Sequence, residues 1–566
     1  MIKKRIHQCL LILLSVSIGG GLMSFMPGNE NRPFKTSKNL EIFAALFKEL
    51  DMFYVDTLDI DKVIQRGVDG MLSTTDPYTS YYPEDEVSTL KEMITGKYGG
   101  IGAAIRCFEG DNYVTIMEPM EGLPAQQVGV KAGDIILSIG GKEMKRGNQK
   151  EPEFTGKVSD ALRGEPGTTF VLRVKRPQLK DSIVKEFKIT RKNIRQSPIP
   201  YAGMLKGDIA YISFAEFTEN SAKDFKKSFI ELKQKGAKKL IIDLRGNGGG
   251  SLTEAVEIVN LFVPKGLEIV ATRGKIKATD RVYYTTGEPV DLEIPICVLV
   301  DGGTASAAEI VSGSLQDLDR AVIVGERTFG KGLVQMTRDL PYNGQLKVTT
   351  GKYYIPSGRC IQAIDYSKKN ADGTVSRIAD SLTTVFRTVA GRPVRDGGGI
   401  RPDVEVKGER IPNIVFYLAN SPWLSQYVTR YCLTHTEPKE VAEVHLSDED
   451  YATFKTLLVE KKFTYDRQSV RFLDRLKELA EAEGYSEDTK MEFEALQKKL
   501  NHDLSRDLES FSKPIKELIE TEIITRYFYR RGVALRSLEK SKEMDKAVEL
   551  LNDAKAYAEI LAPPAS

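Results

Sequence analysis

Histidine is scarce in this sequence, with four residues in a chain of 566. They are His7, His435, His445 and His502. The first lies in an apolar N-terminal segment, and the other three lie in a charged C-terminal region without other candidate catalytic side chains. Histidine is the usual base for a nucleophilic serine, so a Ser-His-Asp triad is disfavoured. The HExxH and GxSxG patterns are absent as well, which argues against zinc hydrolases and α/β-hydrolases.

Cysteine is also sparse and is irregularly spaced. The five cysteines are Cys9, Cys107, Cys297, Cys360 and Cys432, with no CxxC pair. This spacing argues against a disulfide framework and against a zinc site, so we expect no cofactor and no metal. Cys297 stands in the apolar run IPICVLV and is predicted to be a small buried side chain.

An excess of either charge is missing, since 81 lysines and arginines balance 79 aspartates and glutamates. Nucleic acid is therefore not an expected partner.

Residues 1–26 differ from the rest of the chain, because Lys3, Lys4 and Arg5 precede an almost uncharged run. This pattern predicts an export signal, with an uncleaved membrane anchor as the alternative. The expected location is exported, either periplasmic or elsewhere in the cell envelope.

The length predicts several domains, and the composition and the spacing of apolar residues change along the chain. Residues 38–95 show helical spacing of apolar side chains. Residues 96–190 show short strands and turns. Residues 197–406 alternate strands with helices, which predicts βαβ units and a mainly parallel sheet. Residues 413–566 are charged, poor in glycine and helical in period.

The second of these regions contains KAGDIILSIGG and LRGEPGTTFVLRVKR. In these segments and in its order of elements it resembles a PDZ domain, a partly open β-barrel with helices. PDZ domains bind the ends of extended peptides, and a glycine loop holds the terminal carboxylate. The resemblance implies that Gly99, Gly100, Ile101 and Gly102 form that peptide-binding loop.

A candidate nucleophile lies in VDGGTASAAEI, which places Ser306 between alanines at the predicted start of a helix. Small neighbours expose its side chain, and the unpaired N–H groups of the first helical turn can bind an oxyanion. The alternative is that Ser306 or Thr304 only caps the helix.

A candidate base lies in GERTFGKGLVQ, where Lys331 stands between two glycines at the predicted start of a strand. A lysine in an apolar pocket loses its charge and can act as a neutral base. Gln335, four residues on, is predicted to lie on the same face of the strand and to hold the lysine amine. A solvated lysine in a glycine turn is the alternative.

A third segment, IIDLRGNGGGSL, ends a predicted buried strand with a glycine cluster. Open α/β sheets place their sites at such strand ends. Phosphate binding is the alternative, but the GxxxxGK[ST] pattern is missing.

Together, TASAAEI, GKGLVQ and DLRGNGGG resemble the motifs of the carboxyl-terminal processing (tail-specific) protease family. The resemblance implies a multidomain α/β protein: a helical N-terminal part, a PDZ domain, an α/β protease core with a crotonase-like parallel sheet, and an α-helical C-terminal domain. It implies that Ser306 is the nucleophile and Lys331 the base, with Gln335 orienting Lys331. The amides of Gly249 and Ala307 would form the oxyanion hole. The family usually has proline where this chain has Gly248.

The expected function is thus a serine endopeptidase that recognises exported proteins or peptides by their C-termini. A catalytically inactive PDZ-containing scaffold is the alternative, and the retention of Ser306, Lys331 and Gln335 argues against it. Acyl-CoA chemistry, which the crotonase-like core could suggest, conflicts with an export signal and a PDZ domain. The helical tail is expected to pack on the core or to form a homodimer contact.

Overall fold

The computed structural model describes residues 32–369, 374–408, 410–485, 487–500, 503–539 and 541–563. The predicted export signal at residues 1–26 lies outside these ranges. These described residues divide into two compact units, with the boundary between Tyr81 and Tyr82. No helix within the described ranges has the length and apolarity needed to cross a bilayer.

The described part of the first unit is helical, as predicted from its apolar spacing. Asp59 caps the second helix, because its side chain accepts a hydrogen bond from the backbone N–H of Lys62. Both helices keep large apolar side chains at the surface. The helices are α1 (Arg32–Phe53) and α2 (Ile60–Leu72).

The next part of the chain has the predicted PDZ-like order of strands and helices. An antiparallel sheet runs in the order β3-β4-β5-β7-β8, and β2 pairs separately with β9. The apolar face of α5 packs on this sheet through Phe154, Val158 and Leu162. The elements are β1 (Ser80–Tyr82), α3 (Val87–Thr95), β2 (Lys97–Gly100), β3 (Ala103–Arg106), β4 (Thr115–Pro119), α4 (Pro124–Gln127), β5 (Ile135–Ile139), β6 (Lys142–Glu143), α5 (Glu151–Leu162), β7 (Thr169–Arg176), β8 (Ile183–Thr190) and β9 (Lys192–Arg195).

The α/β region forms a six-stranded sheet in the order β10-β11-β12-β15-β16-β23. All its pairs are parallel except β10 with β11, which confirms the predicted mainly parallel sheet. The elements are β10 (Tyr201–Met204), β11 (Ile209–Ser213), α6 (Ser221–Gln234), β12 (Lys239–Asp243), α7 (Leu252–Val259), β13 (Glu268–Gly274), β14 (Arg281–Tyr284), β15 (Ile296–Val300), α8 (Ala307–Asp317), β16 (Val322–Gly325), β17 (Leu333–Asp339), β18 (Gln345–Tyr354), β19 (Ile364–Lys369), β20 (Val375–Arg377), β21 (Val385–Arg387), β22 (Pro393–Arg395) and β23 (Val404–Glu405).

A second sheet joins β13, β14, β17 and β18, all by antiparallel pairs. The strands β17 and β18 pair with each other, and β13 and β14 extend the sheet on the other side of β18. This second sheet carries the segment that follows Lys331.

The C-terminal region is helical, as predicted. Most of its helices share their own apolar core, which includes Leu424, Phe454 and Ile519. The helices are α9 (Asn413–Ala419), α10 (Pro422–Thr434), α11 (Asp448–Glu460), α12 (Gln468–Ala482), α13 (Lys490–Leu500), α14 (Leu504–Ser510), α15 (Ser512–Glu539), α16 (Lys542–Asn552) and α17 (Ala554–Leu561).

Both faces of the parallel sheet are buried, and they are covered by different parts of the chain. Side chains alternate along each strand, so one face of the sheet meets α6, α7 and α8. The other face meets α16, which inserts Met544, Ala547, Leu550 and Leu551. Cys297 lies on this second face and is fully buried, as predicted. The last part of the helical tail therefore completes the core of the α/β region.

Candidate active site

Ser306 directly precedes α8, just beyond the carboxyl end of β15. Its φ of 56° and ψ of −116° are unusual for a residue with a side chain. Such a conformation costs about 1–3 kcal/mol, and strained residues of this kind cluster at active sites. The serine is half-buried and sits at the helix start, where sequence analysis placed it.

Glu309, one turn into α8, is a functional residue that sequence analysis missed. Its side chain is fully buried and accepts four hydrogen bonds. The donors are the Ser306 N–H (2.8 Å) and the Lys331 N–H (2.9 Å) to Oε2, and the Gly330 N–H (2.8 Å) and the Thr328 hydroxyl (2.5 Å) to Oε1. Burial raises the pKa of this carboxyl, and the four donors act in the opposite direction. The spacing S-x-x-E is a capping-box signal and could have pointed to it.

Lys331 lies in the connection from β16 to β17, two residues before the strand begins. Its backbone N–H and that of Ser306 donate to the same oxygen of Glu309. The Tyr353 hydroxyl lies 3.1 Å from the backbone carbonyl oxygen of Ser306 and 2.7 Å from the backbone carbonyl oxygen of Lys331. One carboxylate and one hydroxyl therefore hold the peptide units of Ser306 and Lys331 side by side.

Gln335 lies within β17, and its amide nitrogen donates to Thr349 Oγ1 on β18 at 3.1 Å. The register of the two strands shifts between Val334 and Gln335. The shift skips Thr350 of β18, so the extra residue lies on β18 and β17 itself continues without an insertion. The placement of Lys331 and Gln335 on one face, and the role of Gln335 as the orienting residue, stay predictions.

Gly249 packs directly against the nucleophile segment. A Cβ atom at this position would lie 2.8 Å from Ser306 Cβ and 2.8 Å from the Ala307 nitrogen. Its φ is +97°, so both the space and the backbone conformation require glycine. The Gly249 N–H donates to Asn247 Oδ1 at 2.8 Å. The structure thus brings Gly249 and Ala307 together beside Ser306.

Ala307 is the first residue of α8 and is buried. The first N–H groups of a helix lack a carbonyl partner within the helix and carry the positive end of its dipole. Gly248, where the family usually has proline, is exposed, and a Cβ there would meet no atom within 4 Å. The departure at Gly248 therefore leaves the packing at Gly249 intact.

Of the four residues in the predicted peptide-binding loop, Gly99 and Gly100 end β2, and Ile101 and Gly102 form the connection to β3. Its carbonyl groups are held in place, since Ile101 accepts from the Ala125 N–H (2.9 Å) and Gly102 accepts from the Met120 N–H (2.9 Å). The strand β3, which follows the loop, is the edge of the PDZ-like sheet. An edge strand offers unpaired backbone groups to an added strand, which is the geometry that peptide binding by a PDZ domain needs.

Models of three known families match successive parts of the chain. Residues 115–176 match the PDZ domain, residues 208–368 match peptidase family S41, and residues 414–551 match the "Probable PDZ-protease, C-terminal helical domain". The order agrees with the regions described above.

Curated relatives carry names that agree with these matches. A "Carboxy-terminal-processing protease" of Bartonella bacilliformis is 35% identical over 370 residues, which are 64% of this chain and 81% of the relative. A "Probable CtpA-like serine protease" of Staphylococcus aureus is 32% identical over 327 residues, 57% of this chain and 62% of that relative.

Among solved structures, the photosystem II D1 C-terminal processing protease shares 24% identity, with a TM-score of 0.34 over 66% of this chain and 94% of the other. The identity to the Bartonella protein extends over four fifths of that protein's length. The chain accordingly belongs to the carboxy-terminal-processing proteases of peptidase family S41, and it carries a PDZ domain and a helical C-terminal domain.

Proposed function

We propose that the chain is a serine endopeptidase in which Ser306 is the nucleophile and Lys331 the general base. The observation that carries this proposal is the pairing of their peptide units. Both N–H groups donate to Glu309, and both carbonyl oxygens lie beside the Tyr353 hydroxyl. A nucleophile and its base must stay within hydrogen-bond reach of each other, and a shared anchor keeps two separate loops at a fixed spacing.

The proposed reaction is acyl transfer in two steps. The Ser306 oxygen attacks the scissile carbonyl while the neutral amine of Lys331 accepts the hydroxyl proton. The tetrahedral intermediate collapses, the C–N bond breaks, and the Lys331 ammonium returns the proton to the leaving amine. Water then attacks the resulting ester and gives a proton to Lys331. The second tetrahedral intermediate collapses, the bond to the Ser306 oxygen breaks, the Lys331 ammonium returns the proton to that oxygen, and the product leaves with a new C-terminal carboxyl. Removing a lysine from water favours the neutral amine that these steps require.

The proposed oxyanion hole consists of the N–H groups of Gly249 and Ala307. Removing one N–H donor that points at the position where negative charge develops lowers kcat by about a hundredfold to a thousandfold. The Gly249 N–H donates to Asn247 in this arrangement. Stabilising the oxyanion through Gly249 therefore requires the exchange of that hydrogen bond when substrate binds.

We further propose that substrates are exported proteins recognised by their C-termini. The edge strand β3 and the glycine loop before it support peptide addition with a terminal carboxylate held at Gly99–Gly102. The basic and apolar pattern of residues 1–26 supports an exported, periplasmic or cell-envelope location.

The test compares Ser306→Ala and Lys331→Ala with the wild-type chain. Labelled β-casein digestion and fluorophosphonate labelling report on the active serine without knowledge of the natural substrate. Each variant should lose at least about a thousandfold in kcat. Ser228→Ala and Lys265→Ala, which change the same residue types elsewhere on the core, serve as controls. Retained proteolysis in either active-site variant would refute the dyad.

The same experiment addresses the inactive-scaffold alternative. A scaffold would bind peptides through their free C-termini but would show no casein digestion and no labelling in the wild-type chain. Blocking the peptide C-terminus by amidation should weaken binding under either function, because it removes the carboxylate that the glycine loop holds.

A further inference from the structure

The side chain of Arg245 joins the proposed oxyanion loop to the helical tail. Arg245 stands four residues before Gly249, and its guanidinium makes three hydrogen bonds to Asp243 at 2.6, 2.9 and 3.2 Å. It also donates to Ser541 Oγ at 2.6 Å and to Glu543 Oε2 at 3.1 Å. The Arg245 side chain is only 18% exposed, so its guanidinium depends on these partners rather than on water.

The two tail partners belong to the start of α16 and are fixed there. Ser541 caps the helix by accepting from the Met544 N–H at 3.2 Å, and its hydroxyl donates to Glu543 Oε2 at 2.7 Å. The helix is anchored in turn, because Met544, Leu550 and Leu551 are buried against the parallel sheet. The acceptors that face Arg245 therefore sit on a rigid element.

The segment beginning at Arg245 is also tied to the segment that holds the nucleophile. Its neighbour Leu244 accepts from the Thr304 hydroxyl at 2.8 Å, and Asn247 accepts from the Ala305 N–H at 2.9 Å. A displacement of Arg245 would therefore be passed to the loop on which the oxyanion glycine stands, and to its contact with the serine.

We propose that the first turn of α16 is a positioning element of the active site. Glu543 and Ser541 hold Arg245, and Arg245 holds the loop that presents the Gly249 amide to the oxyanion. Neither residue touches substrate, so their effect acts through Arg245. This inference rests on the proposed function, because it presupposes an oxyanion hole at Gly249. It makes the geometry of that hole depend on residues some 290 positions later in the sequence.

The test is Glu543→Gln, with Asp545→Asn as its matched control. Both changes remove an acidic charge from the first turn of α16, but Asp545 is exposed. Kinetics use a quenched-fluorescent peptide built on a casein cleavage site. We expect Glu543→Gln to lower kcat by about tenfold to a hundredfold with KM unchanged, since a displaced catalytic group costs about this much. The inhibition constant of the corresponding peptide aldehyde should rise by the same factor, because its hemiacetal uses the oxyanion hole.

A double-mutant cycle with Arg245→Lys separates positioning from general destabilisation. In the Arg245→Lys background, the further change Glu543→Gln should have little effect on kcat, because the guanidinium that Glu543 holds is already absent. Ser541→Thr, which keeps both the hydroxyl and the helix cap, should keep the wild-type kcat, whereas Ser541→Ala should lower it.

Two outcomes would overturn the inference. One is an unchanged kcat in Glu543→Gln. The other is an equal loss in Asp545→Asn, which would assign the effect to the helix as a whole. Failure of the proposed function is distinguishable, because wild-type chain that lacks casein digestion and fluorophosphonate labelling would contradict the dyad itself.

Discussion

The substitution Gly249→Ala tests the proposed oxyanion loop by adding one methyl group. An ideal Cβ at Gly249 would lie 2.7 Å from the Ala305 oxygen, 2.8 Å from the Ala307 nitrogen and 2.8 Å from Ser306 Cβ. Two of these atoms belong to the backbone and cannot rotate away. The loop must therefore move by about 0.7 Å or more to reach ordinary contact distances.

Two costs follow from this displacement. The φ of +97° is strained for alanine, which should lower the free energy of unfolding by about 1–3 kcal/mol. The larger effect is on catalysis, because the amide of Gly249 leaves the place where the oxyanion forms. We expect kcat to fall by about a hundredfold or more, the loss seen when one oxyanion donor is removed.

The assay measures kcat and KM on the quenched-fluorescent peptide, the rate of fluorophosphonate labelling, and unfolding in denaturant. The neighbouring change Gly248→Ala is the control, since its Cβ would meet no atom within 4 Å and its φ is outside the left-handed region. It should leave kcat nearly unchanged. A kcat for Gly249→Ala within about threefold of wild type, against the hundredfold expected, would refute the reasoning.

Other predictions concern residues that support the site. Glu309→Gln places an amide NH₂ against N–H donors, so unfolding free energy should fall by about 1–3 kcal/mol and kcat should fall as well. Unfolding in denaturant and the peptide assay measure these two effects, and an unchanged free energy of unfolding would contradict the hydrogen bonds assigned to Glu309. Leu551→Ala should cost about 2–4 kcal/mol in the same unfolding assay, and a cost near zero would contradict the packing of α16 on the sheet. Arg359→Met leaves the buried carboxylate of Asp317 without its ion-pair partner at 2.8 Å and should lower the free energy of unfolding by about 3–5 kcal/mol. An unchanged free energy of unfolding would mean that the pair does not stabilise the fold.

The sequence predicted the repeating α/β core well because its local patterns are strong. Continuous apolar runs became the buried strands β12, β15 and β16, and periodic segments became the helices between them. The pair β13 and β14 was missed, because its place depends on β18, which lies some 70 residues later. Such non-local pairing leaves little trace in local periodicity.

In the candidate site too, residues with a local sequence signal could be predicted, and residues whose role depends on distant segments could not. Ser306 and Lys331 could be named as candidates from their glycine- and alanine-rich surroundings, and Gly249 from the resemblance to the family. The roles of Glu309 and Tyr353 could not, because each depends on donors or carbonyls that arrive from separate segments. The tail shows a further limit. Its periodicity predicts amphipathic helices, but it does not indicate which surface each apolar face will cover.

The placement of α16 has a consequence for the order in which the protein is made. A chain leaves the ribosome from its N-terminus, so all the parallel strands emerge long before Met544 and Leu551. Until then one face of the sheet has no cover, and Arg245 has no Ser541 or Glu543 to bind. If the proposed positioning role of α16 holds, the oxyanion loop gains its anchor only when the end of the tail has been synthesised. A truncated translation product would lack this helix, and with it both the cover of one sheet face and the anchor of the proposed oxyanion loop.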